Sequence, residues 1–203
     1  MKIICIGRNY AKHIEELQNE KPDNPVIFIK PDSAVLSKNQ PFVIPSFSKN
    51  IHYEVEVLVK ICKVGKHIQP KFAHKYYNEI GLGIDFTARD IQDDCKAKGL
   101  PWEKAKGFDG SALMSDFFPK EQFGDLNDLD FTLHKNDELV QQGNTKAMLW
   151  KIDELIAYVS QFFTLKNGDV IFTGTPAGVG SVQENDVLVG AVKNQHMFTV
   201  KVK

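Results

Sequence analysis

Two carboxylates stand two residues apart in the run His52-Tyr53-Glu54-Val55-Glu56-Val57-Leu58-Val59. The run is apolar and β-branched, which predicts a strand, and side chains on a strand alternate between faces. Glu54 and Glu56 are therefore expected to point one way, and Val55, Val57 and Val59 the other way into a core. Two like charges on one face of a buried strand repel and lose hydration, a cost that a hard cation between them would offset. Asp85 ends a second strand-like segment, Gly81-Leu82-Gly83-Ile84, whose glycines would let other backbone approach closely. With Glu54 and Glu56 it makes an all-oxygen set of three carboxylates, donor chemistry that suits Mg²⁺ or Mn²⁺ and not zinc. The alternative is a glutamate pair on the solvated face of an edge strand, with Asp85 capping the helix that follows.

Four further features could do chemistry. His13 and Glu16 are spaced i, i+3 on a predicted helix, so the carboxylate can orient the imidazole and raise its basicity. An exposed helix pair is the competing reading. Arg8 and Tyr10 in Gly7-Arg8-Asn9-Tyr10 could bind a carboxylate. Thr173-Gly174-Thr175-Pro176-Ala177-Gly178-Val179-Gly180 is a rigid glycine-rich loop whose N–H groups suit an anion. It lacks the Gly-Lys-[Ser/Thr] of a P-loop. Lys106, if it lies near the metal, could stabilise an enolate or bind a carboxylate.

The elements that must position these groups are mostly strands: about 2–6, 26–30, 42–44, 52–62, 80–86, 130–136, 139–141, 170–173, 187–189 and 198–202. Pro31 and Pro45 close two of them. Helices are expected over 13–19, near 70–78, over 87–98 with Asp90, Asp93 and Asp94 on a solvated face, and over 151–163. Asp137-Glu138 is the expected hairpin turn. Strands scattered along the chain without βαβα alternation argue against a doubly wound sheet and predict an α+β, β-rich class: a mixed β-roll or a barrel-like sandwich, with short flanking helices.

The 203 residues carry 42% hydrophobic and 25% charged side chains, ordinary for one globular domain over 1–203. A net charge of −1 lacks the basic face that nucleic acid requires. No apolar stretch approaches the roughly 20 residues that span a bilayer, and the first strand is too short for a secretion signal. Cys5, Cys62 and Cys95 have no metal or disulfide spacing and suit a reducing cytoplasm. Cys5 and Cys62 are expected in the core and Cys95 near the surface.

Taken in order, several segments resemble the fumarylacetoacetate hydrolase family: Gly7-Arg8-Asn9-Tyr10 with His13, Pro25-Val26-Ile27-Phe28-Ile29-Lys30-Pro31, Glu54-Val55-Glu56, Asp85-Phe86-Thr87-Ala88-Arg89-Asp90 with Gln92, Lys98-Gly99-Leu100-Pro101-Trp102, Lys106 with Phe108-Asp109, and Gly168 through Gly180. The resemblance covers nearly the whole chain. It is closest to the short, single-domain branch of acylpyruvate hydrolases and oxaloacetate decarboxylases. It implies a β-roll assembled as a homodimer, Mg²⁺ or Mn²⁺ on Glu54, Glu56 and Asp85, and a His13–Glu16 dyad on a mobile lid over about 9–21. It also implies substrate contacts from Lys106, Arg89, Gln92 and Thr175. The expected activity is metal-dependent hydrolysis of the C–C bond of acylpyruvates, with oxaloacetate decarboxylation beside it. An isomerase or tautomerase of unsaturated 2-oxo diacids, a 2-oxo acid hydratase and a non-catalytic small-molecule binder are the alternatives.

Overall fold

A computed structural model describes residues 1–18 and 20–203. The strands are β1 Ile3–Gly7, β2 Val26–Lys30, β3 Ile51–Tyr53, β4 Val55–Ile61, β5 Tyr77–Asp85, β6 Thr87–Ala88, β7 Ala112–Met114, β8 Phe118–Pro119, β9 Asp130–Lys135, β10 Glu138–Asn144, β11 Val170–Phe172, β12 Gly180–Ser181, β13 Val187–Val192 and β14 Gln195–Lys201. The helices are α1 Ala11–Glu16, α2 Pro70–Ala73, α3 Arg89–Lys98, α4 Glu103–Lys106 and α5 Ile152–Phe162. The expected β-rich α+β class is what is found.

One mixed sheet runs β2-β1-β11-β4-β5-β7, with β8 also on β5. Among the described residues, only β1 and β11 pair in parallel in it. A second sheet runs β10-β9-β13-β14, and a third joins β12, β3 and β6. The largest apolar cluster takes Val55 and Val57 of β4 and Ile80, Leu82 and Ile84 of β5. It also takes Phe131, Leu133, Leu188 and Val200 of the second sheet. Val59 packs instead with Ile4, Ile171 and the apolar face of α5. The alternation read from the sequence therefore holds: the valines of β4 are in cores, and β4 is an interior strand between β11 and β5.

Several boundaries differ from the expected ones, each for a local reason. The run 52–62 is two strands in two sheets, interrupted at Glu54. The helix expected over 87–98 begins at Arg89, because Thr87 and Ala88 pair with His52 and Ile51. The helix near 70–78 stops at Ala73, since Tyr77 already pairs with Ile61. Residues 42–44 form only a bridge from Phe42 to Val202; Pro41 and Pro45 flank it and cannot donate. The β9–β10 turn is Asn136-Asp137, one residue earlier than expected. Both have positive φ (51° and 68°), as a two-residue hairpin of the primed type requires. The predicted helix over 13–19 is Ala11–Glu16, and Asn19 lies outside the described residues. Cys95 is buried and Cys62 only half-buried, the reverse of the expectation. No helix among the described residues is long and apolar enough to cross a membrane.

Candidate active site

The break between β3 and β4 places Glu54 where the chain leaves one sheet for another. Its carbonyl accepts from the Asp85 N–H at 2.9 Å, so the end of β5 is held against the start of β4. Glu56 lies one pleat further and faces Gly83. A Cβ at Gly83 would stand 2.3 Å from the Leu113 carbonyl oxygen, so the close approach expected of this glycine is real. Glu54, Glu56 and Asp85 are all buried, and one oxygen from each lies within 4.8 Å of the others.

Three cations surround them. Lys106, at the end of α4, donates to Glu54 Oε2 and Asp85 Oδ2, both at 2.8 Å, and to Thr87 Oγ1 at 2.6 Å. Arg89, the first residue of α3, donates Nη2 to Glu54 Oε1 and Nη1 to Gln92 Oε1. Lys30, wholly buried at the end of β2, stands 2.8 Å from Asp85 Oδ1 and is bonded to Ser111 Oγ and the Lys106 carbonyl. Replacing Lys30 by methionine leaves Asp85 with one cation fewer in a dry site. Chemical denaturation should show a loss of about 3–5 kcal/mol; a loss below about 1 kcal/mol would mean the pair is not needed for folding.

The pairing is uneven. Burial pushes the Glu54 carboxyl up, but Lys106 and Arg89 outweigh it and hold Glu54 well below the usual carboxylate range. Glu56 receives one N–H, from Gly174 at 2.6 Å. Burial, then Asp85 and Glu54, drive its carboxyl well above the ordinary value. Asp85 Oδ1, though 2.8 Å from Lys30 Nζ, has no aligned hydrogen bond. An under-partnered buried carboxylate beside two others, all with oxygen donors, fits a hard divalent cation.

The glycine-rich loop after β11 is fixed from two sides. Asn9 donates to the Thr173 and Trp150 carbonyls at 2.8 and 3.1 Å. Gln141, reaching over from β10, accepts from Val55 N–H at 2.9 Å and donates to Thr175 Oγ1 at 2.9 Å. Gly174 has φ 103°, and a Cβ there would lie 2.7 Å from Asn9 Cβ, so glycine is required for its N–H to reach Glu56.

Helix α1 covers this loop. The Gly178 N–H donates to Glu16 Oε1 at 3.0 Å, and Glu16 Oε2 lies 3.3 Å from His13 Nδ1. A carboxylate only accepts, so Nδ1 carries the proton and Nε2 keeps its lone pair. Burial lowers the His13 pKa below 6.5 against the opposing pull of Glu54 and Glu16, which leaves a neutral base at neutral pH.

One cleft is lined by Arg8, His13, Glu54, Glu56, Asp85, Arg89, Gln92, Lys106 and Thr175, nine of the eleven residues expected to form the site. Glu16 joins it through His13. Tyr10 does not line it: its ring packs on Phe131 inside the core, 6.4 Å between centroids. The carboxylate-binding role expected of Tyr10 is therefore replaced by a packing one, because Tyr10 caps the start of α1 with its ring turned inward. Lys30, Gln141 and Asn9 also hold the site in place and stand outside the eleven expected residues. A lysine ending the apolar strand Val26–Lys30 was a legible signal for the first; the others depend on contacts distant in sequence.

The model of the fumarylacetoacetate (FAA) hydrolase C-terminal family matches residues 2–202. An oxaloacetate tautomerase of Escherichia coli is 44% identical over 202 residues, covering 99% of this chain and 92% of the relative. A mitochondrial oxaloacetate decarboxylase of Dictyostelium discoideum is 43% identical over 188 residues, with 92% and 86% covered. The crystal structure of a fumarylpyruvate hydrolase from Pseudomonas aeruginosa, in complex with Mn²⁺ and pyruvate, superimposes with a TM-score of 0.93 at 33% identity. It covers 100% of this chain and 89% of that one. Mitochondrial and bacterial proteins both stand among the relatives, so family membership leaves the compartment open.

Proposed function

Because the chain belongs to the fumarylacetoacetate hydrolase family, we propose that it is a metal-dependent enzyme of 2-oxo dicarboxylates whose first activity is the keto–enol tautomerisation of oxaloacetate. The observation that carries this reading is a neutral imidazole, oriented by a carboxylate, in the same cleft as a buried three-carboxylate cluster. Glu54, Glu56 and Asp85 would hold the ion. When bound, Mg²⁺ or Mn²⁺ supplies Lewis acidity toward the 2-oxo oxygen and two positive charges to a cluster whose three carboxylates already face three cations.

His13 Nε2 takes the proton from C3 of the keto form, and the electron pair becomes the C2–C3 double bond as the 2-oxo oxygen gains charge. Returning that proton to the oxygen completes the enol; the reverse sequence gives the keto form. Glu16 holds the imidazole in the required tautomer. The Lys106 ammonium, whose pKa is raised because Asp85 and Glu54 outweigh its burial, stays charged beside the developing oxyanion.

A second reading is hydrolysis of acylpyruvates, favoured by the likeness to the fumarylpyruvate hydrolase. There His13 deprotonates a water that attacks the C4 carbonyl, and the C3–C4 bond breaks, releasing the acyl group as its carboxylate and leaving the enolate of pyruvate. Decarboxylation of oxaloacetate reaches it by loss of CO₂. The test is a side-by-side assay with Mg²⁺, with and without EDTA. It follows the ultraviolet decay of enol-oxaloacetate and pyruvate release from acetylpyruvate and oxaloacetate. EDTA-sensitive acceleration of the enol decay supports the tautomerase. Pyruvate release from acetylpyruvate without that acceleration moves the assignment to the hydrolase.

A further inference from the structure

Helix α3 presents Arg89, Gln92 and Lys96 to the cleft at i, i+3 and i+7, one face of the helix. The three descend in depth. Arg89 is buried on Glu54, Gln92 is buried and bonded to Arg89, and Lys96 stands at the outer end with its side chain 25% exposed. The deep cations Lys106, Arg89 and Lys30 are each paired with a carboxylate of the triad. The ammonium of Lys96 is held less firmly: its ion pair with Asp93, on the same helix, is stretched to 3.8 Å. Arg8 lines the same cleft from the end of β1. It has φ 59°, an unusual conformation for a residue with a side chain. Asn9, bonded into residues 150 and 173, holds the chain beside it in place.

We propose that Lys96, together with Arg8, forms a carboxylate-binding subsite at the cleft mouth that selects substrates bearing a second carboxylate distal to the 2-oxo acid end. The inference rests on the functional reading above and assigns recognition of the second carboxylate of those 2-oxo dicarboxylates to Lys96, as a specificity residue. The 2-oxo acid end belongs at the triad, where the oxygen donors and Lys106 lie. A four-carbon diacid then carries its other charge outward, toward Lys96, the outermost cation that α3 presents to the cleft. Burial and the neighbouring Arg89 and Arg8 disfavour extra positive charge at Lys96, so an anion between Lys96 and Arg8 relieves their repulsion.

The test compares the Mg²⁺-loaded wild type with Lys96→Met and Lys96→Arg. Calorimetric dissociation constants would be measured for malate and lactate, 2-hydroxy acids that share one end and differ in the distal carboxylate. Lys96→Met should weaken malate by roughly tenfold to a hundredfold, the worth of a charge-assisted hydrogen bond, and lactate by no more than about twofold. Lys96→Arg should restore most of the malate affinity. Equal weakening of both acids, or an unchanged malate constant in Lys96→Met, overturns the proposal. The enol-oxaloacetate assay on the same samples separates the two inferences. Malate selectivity that depends on Lys96, without enol turnover, keeps the subsite and removes the tautomerase. Enol turnover at equal efficiency in wild type and Lys96→Met keeps the tautomerase and removes the subsite.

Discussion

Substituting Glu56 by glutamine is expected to lower metal-dependent turnover by at least about a hundredfold, the cost of losing one preorganised electrostatic partner, without destabilising the metal-free fold. The reason is the uneven pairing of the triad. Glu54 and Asp85 have Lys106, Arg89 and Lys30 as counter-charges, whereas Glu56 has one N–H from Gly174. Glutamine keeps the acceptor for that N–H and removes the charge that only a bound cation would compensate. In the wild type, Mg²⁺ at about 100 times its Kd should stabilise the fold by about 2.7 kcal/mol, or roughly 5–10 °C in Tm for a chain of this size. Glu56→Gln should show no such shift.

The sign of the pH dependence follows from the raised Glu56 pKa. The folded protein holds this proton to higher pH than the unfolded chain does. Its contribution to stability is therefore complete below the unfolded carboxylate range and is lost as pH rises through the raised folded value. The Mg²⁺-induced gain in Tm should grow over that same rise, because the proton and the ion compete for one site. Thermal melts of both proteins across pH, with and without Mg²⁺, decide it. A Glu56→Gln protein that keeps the Mg²⁺ shift and full activity would refute the metal site.

The second large effect is expected at His13. His13→Ala should slow tautomerisation and acylpyruvate hydrolysis by about 10²–10⁴, the span of general acid–base catalysis. It should spare oxaloacetate decarboxylation, which needs no proton removed from carbon and no attacking water. Equal loss of all three would end that division of labour. The base must be neutral, and burial depresses its pKa below 6.5. The rate should therefore rise with pH along a limb whose apparent pKa lies below 6.5 and be flat near neutrality. Glu16→Gln removes a partner that favours the protonated ring, so the limb should move to still lower pH. Steady-state rates between pH 4.5 and 8 measure both. A limb that stays in place in Glu16→Gln would mean the dyad contact at 3.3 Å does not govern the base.

How much of this was legible beforehand depends on how local each cause is. The alternation of valines with Glu54 and Glu56 is a property of neighbouring residues, and it correctly foretold two carboxylates turned from the core toward Asp85. The β-rich class followed from the same kind of local pattern, and so did the i, i+3 meeting of His13 and Glu16. The order of motifs along the chain identified the family and, through it, Arg89, Gln92, Thr175 and Lys106 as cleft residues. What the chain could not declare locally is set by partners tens to more than a hundred positions away. Glu54 lies at a break between two sheets because β3 is claimed by β6 and β12 while β4 is claimed by β11 and β5. Tyr10 lost its expected role because Phe131 takes its ring. Lys30 and Gln141 acquired theirs because the packed strands bring them against Asp85 and Thr175. Side-chain type and period determine which face of an element is apolar. Which charges end up sharing one dry cleft, and which of them remains under-compensated, is a sum over the whole tertiary arrangement, because burial and Coulomb interactions act through space and not along the sequence.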